Sequence, residues 1–439
     1  MPFHIENEER LEPIELQRLQ RTKLARLLEL VRHKNPFYGR KLANVVFDPL
    51  RDSLQELPFT TRSEIQQDQA NHPLHGTNLT FPLNQFTRWH QTSGSSGTAL
   101  RWLDTPQCWQ WWLKCWAIIY FAAGITSADR LMFPFSFGPF IGFWGAFEAA
   151  VMLGNRVIAG GGMTTPARLR LILESDTTAV CCTPTYALHL ADVAASEGLD
   201  LPASNVRALI VAGEPGGNIP ATRKRIEDGW GGRVFDHAGM TEVGPWGFEC
   251  LEHPGGMHVM ESEFIAEVID PESGQVVDDG ACGELVLTNL GRTGMPLVRY
   301  RTGDQVALTR GQCACGRWFA RLEGGVGGRC DDMLFIRGNN VFPSVIEGIF
   351  REFSDVVEFR MVVDESNTLC DLYLEIEPRD GCDVSTLVER ITHAVRDRLH
   401  FRPIVVPVEP GSLPRFEMKA RRVHYGDSAR RVGRTTEDA

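Results

Sequence analysis

The sequence predicts an α/β protein built in two parts, a large N-terminal part with several sheets and a small α+β part at the C-terminal end. Short apolar runs alternate with helical stretches through the middle of the chain, an order typical of parallel strand–helix–strand units. Beyond residue 329 come two strand-like runs, a helix and a further apolar run. Together they make about one hundred residues, enough for a separate domain.

Amphipathic helices are predicted in the first part of the chain. Residues 12–34 carry Leu, Ile and Val at helical spacing with charges between them. Residues 104–122 form another helix, in which Trp109, Trp112 and Trp116 lie three and four positions apart. Such a stripe favours core packing, and a role in ligand binding is the alternative.

Buried strands are predicted at 156–160, 178–183 and 206–213, and helices at 166–175, 185–196 and 219–228. After Phe264 the pattern changes to the strand-like runs "FIAEVID", "GELVLTNL" and "DQVALT", which are separated by turn residues. These runs predict a small barrel or sheet over about residues 264–328.

We expect the large domain to span residues 1–328 and the small domain to span residues 329–439. The small domain contains the runs "VVEFRMVV" and "LCDLYLEIEP", a helix at 384–399 and the run "IVVPVE". Its last residues, from about residue 428, are polar and are expected to be disordered.

The composition excludes several classes of function. The 439 residues carry a formal net charge of −11, which argues against non-specific nucleic-acid binding. The most apolar stretch, residues 131–153, is interrupted by proline and glycine, so no membrane span is expected. The first residues are too charged for the core of a signal peptide, and the eleven cysteines show no regular framework. A cytoplasmic protein is therefore expected.

Glycine-anchored turns that bear functional side chains recur along the chain. Residues 91–100 read "QTSGSSGTAL", and four similar turns lie at predicted strand ends: "VAGEPGG" (211–217), "DHAGMTEVG" (236–244), "YRTGD" (300–304) and "GRCDD" (328–332). A single turn of this kind is uninformative, because glycine marks turns in general. Five of them fit a nucleotide site lined by loops at strand ends.

In this order, the five stretches resemble the motifs of the adenylate-forming enzymes, and more closely those of phenylacetate–coenzyme A ligases. "TSGSSGT" resembles the phosphate loop, "GMTE" the core of the Tyr-Gly-x-Thr-Glu turn, and "YRTGD" and "GRCDDMLFIRGNNVFPSVIE" the ribose-binding and hinge motifs. "PGSLPRFEMKARRV" resembles the segment that carries a catalytic lysine, and "LQRTKLARLLELVRHKNPFYGRKL" and "LPFTTRSEI" match the same subgroup. The resemblance covers about residues 15–424.

The resemblance implies an adenylate-forming fold with a mobile C-terminal domain, and it implies roles for the turn residues. Lys419, Thr241 and Glu242 would be catalytic, with Glu242 a ligand of Mg²⁺, which prefers carboxylate oxygens. Asp304 would bind the ribose hydroxyls of ATP, and Asp331 would be the hinge. The other implied ATP-binding residues are Ser93, Gly94, Ser95, Ser96, Gly97, Thr98, Gly213, Glu214, Pro215, Asp236, His237, Ala238, Gly239, Met240 and Arg329.

The chemistry of these residue types agrees with those roles. The hydroxyls and glycines of residues 93–98 supply donors without bulk to the α-phosphate, where negative charge develops. Lys419 is a compact cation that could bridge carboxylate and phosphate oxygens. The structural alternatives are that Thr241 caps a helix, that Asp304 is an ordinary turn residue and that Lys419 belongs to a solvated basic cluster.

Two positions depart from the family pattern. Thr98 and Ala99 stand where the family often has Lys and Pro, so a cation that contacts phosphate is missing. Ala238 stands where the family usually has an aromatic residue. Stacking on the adenine would then fall to His237 or to another ring.

A metal site is predicted at Cys250, His258, Cys313 and Cys315. Three thiolates and an imidazole make a tetrahedral set for Zn²⁺, and a site with four protein ligands is structural. It would hold the long connection between the large core and the β-rich segment. His253 could replace His258, and free buried thiols are the alternative to a metal site.

The predicted function is ATP-dependent activation of a carboxylic acid to an acyl adenylate, followed by transfer to coenzyme A. The acid is expected to be aromatic, because "FPFSFGPFIGFW" (133–144) supplies rings and glycines that could wall a flat pocket, although core packing is an alternative for that run. Transfer to a carrier-protein thiol or an amine, or nucleotide binding without turnover, are the alternative functions. No nucleic-acid or membrane partner is expected, and a homodimer is allowed but not specified.

Overall fold

The computed structural model describes residues 6–92, 98–329, 333–336, 339–364, 370–416 and 420–426. Within these ranges the helices are α1 (Glu6–Glu9), α2 (Pro13–Lys34), α3 (Pro36–Lys41), α4 (Arg62–Asn71), α5 (Pro106–Ala122), α6 (Trp144–Met152), α7 (Thr165–Glu174), α8 (Pro184–Ser196), α9 (Pro220–Trp230), α10 (Pro343–Arg351) and α11 (Val384–Leu399), with short 3-10 turns at Leu54–Glu56 and Leu83–Gln85.

The strands in the same ranges are β1 (Arg88–Gln91), β2 (Arg101–Asp104), β3 (Arg130–Phe133), β4 (Arg156–Ala159), β5 (Ala179–Cys182), β6 (Ala208–Ala212), β7 (Arg233–Met240), β8 (Gly244–Cys250), β9 (His253–Val259), β10 (Phe264–Ile269), β11 (Cys282–Asn289), β12 (Tyr300–Thr309), β13 (Arg321–Glu323), β14 (Gly328–Arg329), β15 (Leu334–Ile336), β16 (Asn339–Val341), β17 (Val356–Asp364), β18 (Asp371–Pro378), β19 (Ile404–Pro407) and β20 (Val423–Tyr425).

One half of the large sheet is parallel, as the alternation of strands and helices predicts. The strands follow the order β4-β3-β5-β6-β7, and helices α6 to α9 form the crossovers between them. Every residue of β5 is buried, which fits a strand covered by helices on both faces. Threonine caps begin two of the helices in this part of the chain: Thr105 accepts from the backbone N–H of Cys108, and Thr183 from that of Tyr186.

The other half of the same sheet is antiparallel and continues through β8, β9, β13, β12, β11 and β10. In β12 buried and half-buried residues alternate along the whole strand, the period of a sheet with one covered face. The β-rich segment is therefore a sheet rather than a closed barrel, and it extends the parallel half. The three-residue strand β13 joins the two, because it pairs with both β9 and β12.

The C-terminal residues form a separate four-stranded sheet in the order β19-β18-β17-β20. Helices α10 and α11 pack with this sheet on an apolar cluster of its own, which includes Leu374, Ile376 and Ile391. Helix α11 begins at Asp383, whose carboxylate accepts from the backbone N–H of Thr386. The predicted α+β composition of this segment is confirmed, while the predicted division between residues 328 and 329 stays a prediction.

The tryptophan-bearing helix α5 lies inside the large core. Trp109, Trp112 and Trp116 are all buried, and Trp109 and Trp112 stack at 6.2 Å between ring centroids. The stripe therefore packs the core, as its spacing predicts. In the described part of the chain, every helix is too short or too polar to cross a bilayer.

Candidate active site

Two cavities lie on either side of the turn between β7 and β8. The first, which we call the polar cleft, has a volume of about 290 Å³ and is lined by Thr61, Arg62, Ser63, Glu242, Glu284, Tyr300, Arg301, Thr302, Gly303 and Arg329. The second, which we call the aromatic cavity, has a volume of about 220 Å³ and is lined by Trp112, Trp116, Phe135, Ser136, Phe140, Ile141, Gly142, Phe143, Cys182, Thr183, Tyr186, Ala212, Gly213, His237, Gly239, Met240 and Thr241.

Consecutive residues of the turn face different cavities: Thr241 lines the aromatic cavity, and Glu242 lines the polar cleft. Thr241 thus lies in a turn between two strands, so the alternative that it caps a helix is wrong. Arg292 fixes the turn from behind, because its Nη1 donates to the carbonyl oxygens of Thr241 (2.5 Å) and Glu242 (3.2 Å). The same guanidinium forms a fully buried ion pair with Asp104 at 2.6 Å.

Glu242 is 5% exposed and is held by two donors in the polar cleft. Its Oε1 accepts from the hydroxyl of Tyr300 at 3.1 Å and from Nη1 of Arg62 at 3.4 Å. Burial, together with the charge of Glu242, raises the pKa of Tyr300 far above its ordinary value, so the phenol keeps its proton and donates. The contacts with Tyr300 and Arg62 both involve Oε1, and Glu242 lines the cleft, which suits a ligand of a hard cation.

Asp304 does not line the cleft itself, but its chain neighbour Gly303 and its strand partner Arg329 do. It sits within β12 and pairs in register with Arg329 of β14, whose Nη1 lies 3.7 Å from its Oδ1. Asp304 is therefore a strand residue, and the alternative that it is an ordinary turn residue is wrong. Its neighbour Gly303 has a φ of +75°, a conformation that favours glycine and explains the "TGD" sequence at this point.

The predicted phosphate loop falls in the sequence between strands β1 and β2. Residues 93–97, which include Ser93, Gly94, Ser95, Ser96 and Gly97, lie outside the described residues. The two ends of the loop are joined, because Thr92 N donates to Leu100 O (2.9 Å) and Leu100 N donates to Thr92 Oγ1 (3.0 Å). The carbonyl of the exposed Thr98 accepts from Gln66 Nε2 at 3.2 Å.

The walls of the aromatic cavity come from α5 and from the run at residues 133–144. Trp112 and Trp116 contribute one wall, and Phe135, Phe140 and Phe143 contribute another. The phenylalanine run also packs within itself, since the ring centroids of Phe135 and Phe143 lie 5.3 Å apart. The run therefore packs as core and also lines a cavity, while its role as the wall of a pocket for an aromatic acid stays a prediction.

His237 belongs to the aromatic cavity, and its ring lies 4.5 Å from that of Trp116. Burial lowers the pKa of His237 to about 4, so the imidazole is neutral near pH 7. Gly239 and Met240 line the same cavity. Ala238, between His237 and Gly239, packs against the main core and leaves no ring at the position where the family usually has one.

The loop at residues 213–215 faces both the aromatic cavity and the C-terminal segment. Gly213 lines the cavity. The carboxylate of Glu214 accepts from two backbone N–H groups, those of Thr185 (2.9 Å) and Ala420 (2.6 Å). Burial and the nearby Glu347 raise the pKa of Glu214. Ala420 follows Lys419 in the sequence, and Lys419 itself, like the predicted hinge Asp331, lies outside the described residues.

Asp236 is buried behind the turn and lines neither of the two cavities described above. Its Oδ1 accepts from the backbone N–H of His237 at 3.1 Å. Burial, with a further contribution from Glu249, raises the pKa of Asp236 to about 7. Arg223 forms an ion pair with Glu249 and so limits the repulsion between the two carboxylates.

The four predicted zinc ligands come together at the junction of the two halves of the large sheet. The ligand atoms of Cys250, His258, Cys313 and Cys315 all lie within 4.8 Å of one another. Cys250 ends β8, His258 lies in β9, and the two other cysteines precede β13, the strand that joins the halves. The hydrogen bond from Cys250 holds the pKa of Cys315 well below that of an ordinary thiol.

A hydrogen bond from outside this cluster orients the ring of His258 toward the three thiols. Nδ1 of His258 donates to the carbonyl of Phe319 at 3.2 Å, which leaves Nε2 to face the thiols, 3.5 Å from Cys315 Sγ. His253, the alternative ligand, instead pairs with Glu323 at 3.0 Å and is not one of the four. The three thiols and the imidazole, with the hydrogen bond that orients His258, fit Zn²⁺.

Three residues of the site were not singled out in the sequence. Arg62 follows the "LPFTT" stretch, Tyr300 begins "YRTGD", and Arg292 precedes it. Arg62 and Tyr300 lie inside stretches that carry the family resemblance, so the resemblance could have located them. Arg292 carried no signal, because its partners at residues 104, 241 and 242 are distant in sequence.

Comparison with known proteins defines the class. The model of the AMP-binding enzyme family matches residues 108–293, and that of the AMP-binding enzyme C-terminal domain matches residues 338–425. The phenylacetate-coenzyme A ligase of Thermus thermophilus is 31% identical over 434 residues, which cover 93% of this chain and 96% of that protein. The chain therefore belongs to the adenylate-forming, AMP-binding enzyme family.

Individual relatives sharpen this assignment. The phenylacetate-coenzyme A ligase of Escherichia coli is 31% identical over 434 residues, covering 94% of this chain and 97% of that protein. A crystal structure of 2-hydroxyisobutyryl-CoA ligase with 2-HIB-AMP, in the postadenylation state, matches with a TM-score of 0.91 at 28% identity and covers 97% of this chain and 93% of that one. The same enzyme with 2-HIB-AMP and CoA, in the thioesterification state, matches at 0.72. Of these two structures, the one in the postadenylation state thus matches this chain with the higher TM-score.

Proposed function

We propose that the protein is an ATP-dependent, AMP-forming ligase that joins a carboxylic acid with an aromatic body to the thiol of coenzyme A. The observation that carries the proposal is the turn shared by the two cavities, in which Thr241 faces the aromatic cavity and Glu242 faces the polar cleft. An acid held in the aromatic cavity would place its carboxylate next to groups suited to the phosphates of ATP. Proximity of this kind is a large part of catalysis in group transfer.

The reaction would proceed in two steps. In the first step, a carboxylate oxygen attacks the α-phosphorus of ATP, the bond to the β-phosphate oxygen breaks, and pyrophosphate leaves. In the second step, the sulfur of coenzyme A loses its proton and attacks the carbonyl carbon of the acyl adenylate, and AMP leaves. In enzymes generally, removal of one group that stabilises developing charge costs ~10²–10³ in rate.

We assign the polar cleft to the nucleotide. Glu242 would hold Mg²⁺, which neutralises phosphate charge when bound, while Tyr300 and Arg62 keep the Glu242 carboxylate in place. Asp304 would accept from the ribose hydroxyls, beside Arg329. Thr241 would donate to the α-phosphate, and the hydroxyls and N–H groups of residues 93–98 would complete the phosphate site.

We assign the electrostatic clamp of the first step to Lys419. Its neighbour Ala420 is tied to Glu214 of the large part by a hydrogen bond of 2.6 Å. Arg422 adds to this connection, because it pairs with Glu347 and Glu358 and lies 3.4 Å from the hydroxyl of Thr185. These contacts support an orientation in which the C-terminal segment serves adenylation.

The second step would need a different orientation of the C-terminal domain, with Asp331 as the hinge. The support is the related 2-hydroxyisobutyryl-CoA ligase, whose structures in two named states match this chain at TM-scores of 0.91 and 0.72. Because one of those structures contains CoA, coenzyme A is the acceptor that we propose. A carrier-protein thiol or an amine is the other candidate acceptor.

We further propose that Cys250, His258, Cys313 and Cys315 bind one structural Zn²⁺. The convergence of four ligand atoms within 4.8 Å supports this, as does the hydrogen bond that orients His258. The metal would tie β8 and β9 to the residues before β13. Thiolate ligands require a reducing environment, which agrees with the cytoplasmic location that we propose.

Lys419→Ala tests the proposed function, with Arg421→Ala in the same basic cluster as the matched control. Acid-dependent ATP–pyrophosphate exchange reports the first step, and thioester formation from a supplied acyl adenylate reports the second. We expect Lys419→Ala to lower exchange by ~10²–10³ and to leave the second step within a few-fold of the parent. Arg421→Ala should leave both steps close to the parent.

Two outcomes would contradict the proposal. Absence of exchange with every acid in a broad aryl and aliphatic panel would favour a nucleotide-binding protein without turnover. Equal loss of both steps in Lys419→Ala would mean that the lysine is not the clamp of the first step. For the hinge, Asp331→Pro should trap one orientation, so that one step survives and the other fails.

A further inference from the structure

The aromatic cavity contains a ring nitrogen with a defined proton state, Nε2 of His237. The other ring nitrogen, Nδ1, lies 2.7 Å from the carbonyl oxygen of Gly247. A carbonyl oxygen can only accept a hydrogen bond, so Nδ1 carries the proton and donates. In a neutral imidazole the second nitrogen then has a lone pair and no proton.

The charge state of the ring agrees with this tautomer. His237 is 6% exposed, and burial lowers its pKa to about 4. The ring is therefore neutral across the range from pH 5.5 to 9. Nε2 is an acceptor throughout that range.

In the part of the chain that the structure describes, no group donates a hydrogen bond to the lone pair of Nε2. The hydrogen bond that this ring makes with the described residues is the one from Nδ1, on the opposite side of the ring. A Cβ atom placed on Gly239 would lie 3.3 Å from Nε2, and Gly239 lines the cavity. The absence of a side chain at residue 239 thus leaves room beside the nitrogen.

The rest of the cavity wall makes this acceptor selective. The ring of Trp116, with its centroid 4.5 Å from that of His237, restricts how the imidazole can turn. The other polar side chains in the wall are hydroxyls, such as those of Ser136 and Thr183, which can rotate to donate or accept, the thiol of Cys182, and the indoles of Trp112 and Trp116, which only donate. Among the side-chain nitrogen and oxygen atoms of the described wall residues, Nε2 of His237 is the one that accepts and cannot also donate. A ligand that fills the cavity without a donor would remove water from Nε2 and leave it unpaired.

We propose that the acid substrate bears a hydroxyl or amino group on its apolar body and that this group donates to Nε2 of His237. The substrate class is then a hydroxy- or amino-substituted carboxylic acid, aromatic or of similar bulk. This inference rests on the proposed function, because it assigns the aromatic cavity to the acid. His237 becomes a residue that determines specificity and does not take part in the chemical steps.

The test compares two variants that separate the two ring nitrogens. In His237→Asn the side-chain amide nitrogen can replace Nδ1 as donor to Gly247, and nothing replaces Nε2. In His237→Gln the amide group reaches the position of Nε2 and its oxygen can still accept. The measurement is kcat/KM for acid-dependent ATP–pyrophosphate exchange with benzoate, phenylacetate and their positional hydroxy and amino isomers.

We expect the parent to favour at least one donor-bearing isomer over its unsubstituted acid by roughly 10- to 100-fold. His237→Asn should lose this preference, and His237→Gln should keep part of it. Since the preference is a ratio of two acids on one preparation, it does not depend on the folded fraction of a variant.

The failures of the two proposals are distinguishable. Exchange that occurs with several acids but shows no preference for any donor-bearing isomer overturns the role of His237 and leaves the ligase function standing. A preference that His237→Asn retains also overturns it. If no acid supports exchange, the ligase function fails and this inference fails with it.

Discussion

The two cavities on either side of residues 239–242 differ in how they treat charge. In the polar cleft, charged side chains meet partners: Glu242 contacts Arg62, Glu284 pairs with Arg301, and Arg329 lies beside Asp304, which is next to the lining residue Gly303. The aromatic cavity has no charged side chain among its described wall residues, and its polar groups are hydroxyls, a thiol, indoles and the neutral imidazole of His237. One turn therefore separates a charged cavity, which we assign to the nucleotide, from an uncharged aromatic cavity, which we assign to the body of the acid.

This difference shows how one site could hold two unlike substrates. Under our assignment, charges in the cleft would act on the step that all acids share, because every acid would meet the same nucleotide. Groups in the aromatic cavity would act on the part of the substrate that varies from one acid to another. Arg292, which forms a buried ion pair with Asp104, holds the turn between the two cavities in place. Breaking such a buried pair by removing one partner typically costs about 3–5 kcal/mol of stability.

The largest effect should come from the polar cleft. Glu242→Gln removes the carboxylate that we assign to Mg²⁺, and we expect exchange to fall by ~10²–10³ with every acid. The measurement is the exchange rate as a function of acid and of magnesium concentration. Glu284→Gln is the matched control, since Glu284 lines the same cleft but pairs with Arg301, and its effect should be below about 10-fold. Equal effects of the two changes would mean that the cleft responds to total charge and not to a specific ligand.

A smaller and selective effect should come from the aromatic cavity. Ala212 lines its wall, and Ala212→Leu would fill part of the volume of about 220 Å³. We expect kcat/KM to fall by about 10- to 100-fold for the bulkiest accepted acids and to change little for the smallest, with the KM for ATP unchanged. Ala212→Ser, which preserves size, is the control. A uniform loss across acids would place the acid elsewhere.

The cysteine cluster should affect stability and spare both cavities. We expect about one zinc per chain in protein purified without chelator, and Cys313→Ser should lose the metal and lower the melting temperature by several degrees. The affinity of the folded variant for ATP should stay close to that of the parent. Cys282→Ser is the matched control, because Cys282 is exposed and outside the cluster. If the parent contains no zinc and Cys313→Ser is as stable as the parent, the four residues do not form a metal site and the cysteines are ordinary thiols.

The smallest effect concerns Asp236, behind the wall. Its pKa rises from 3.8 to about 7 on folding, so between these values the folded state holds more protons than the unfolded state. Stability therefore falls as pH rises from about 4 to 7. Asp236→Asn keeps an acceptor for the N–H of His237 and removes this loss, so its melting temperature should exceed that of the parent by a few degrees at pH 8 but not at pH 4.5. A difference that does not change with pH would contradict this account.

Much of the fold could be predicted because its signals are local. The all-buried strand at residues 179–182 and the alternation in β12 follow directly from apolar patterns. That β13 would join the two halves into one sheet could not be predicted, since a three-residue strand has no pattern of its own. The "barrel or sheet" alternative stayed open for that reason.

The site also contains some residues whose roles the sequence could predict and others whose contacts it could not. Motif order indicated Glu242 and Asp304, and ligand chemistry indicated the four residues of the predicted metal site, which do converge. Sequence could not reveal that His237 turns one nitrogen to Gly247 and leaves the other beside Gly239, because this depends on a cross-strand contact between β7 and β8. Nor could it reveal the link between Glu214 and Ala420, which lie 206 positions apart.

The central claim, that one turn separates the nucleotide from the acid, is tested most directly by measuring kcat/KM for a single panel of acids with Glu242→Gln and Ala212→Leu side by side. The account predicts that Glu242→Gln lowers kcat/KM for every acid by the same factor, so that the acids keep their order of kcat/KM. It predicts that Ala212→Leu changes this order while the KM for ATP stays constant. The account would be contradicted if Glu242→Gln changed the order of kcat/KM among the acids. It would also be contradicted if Ala212→Leu lowered kcat/KM equally for all acids and raised the KM for ATP.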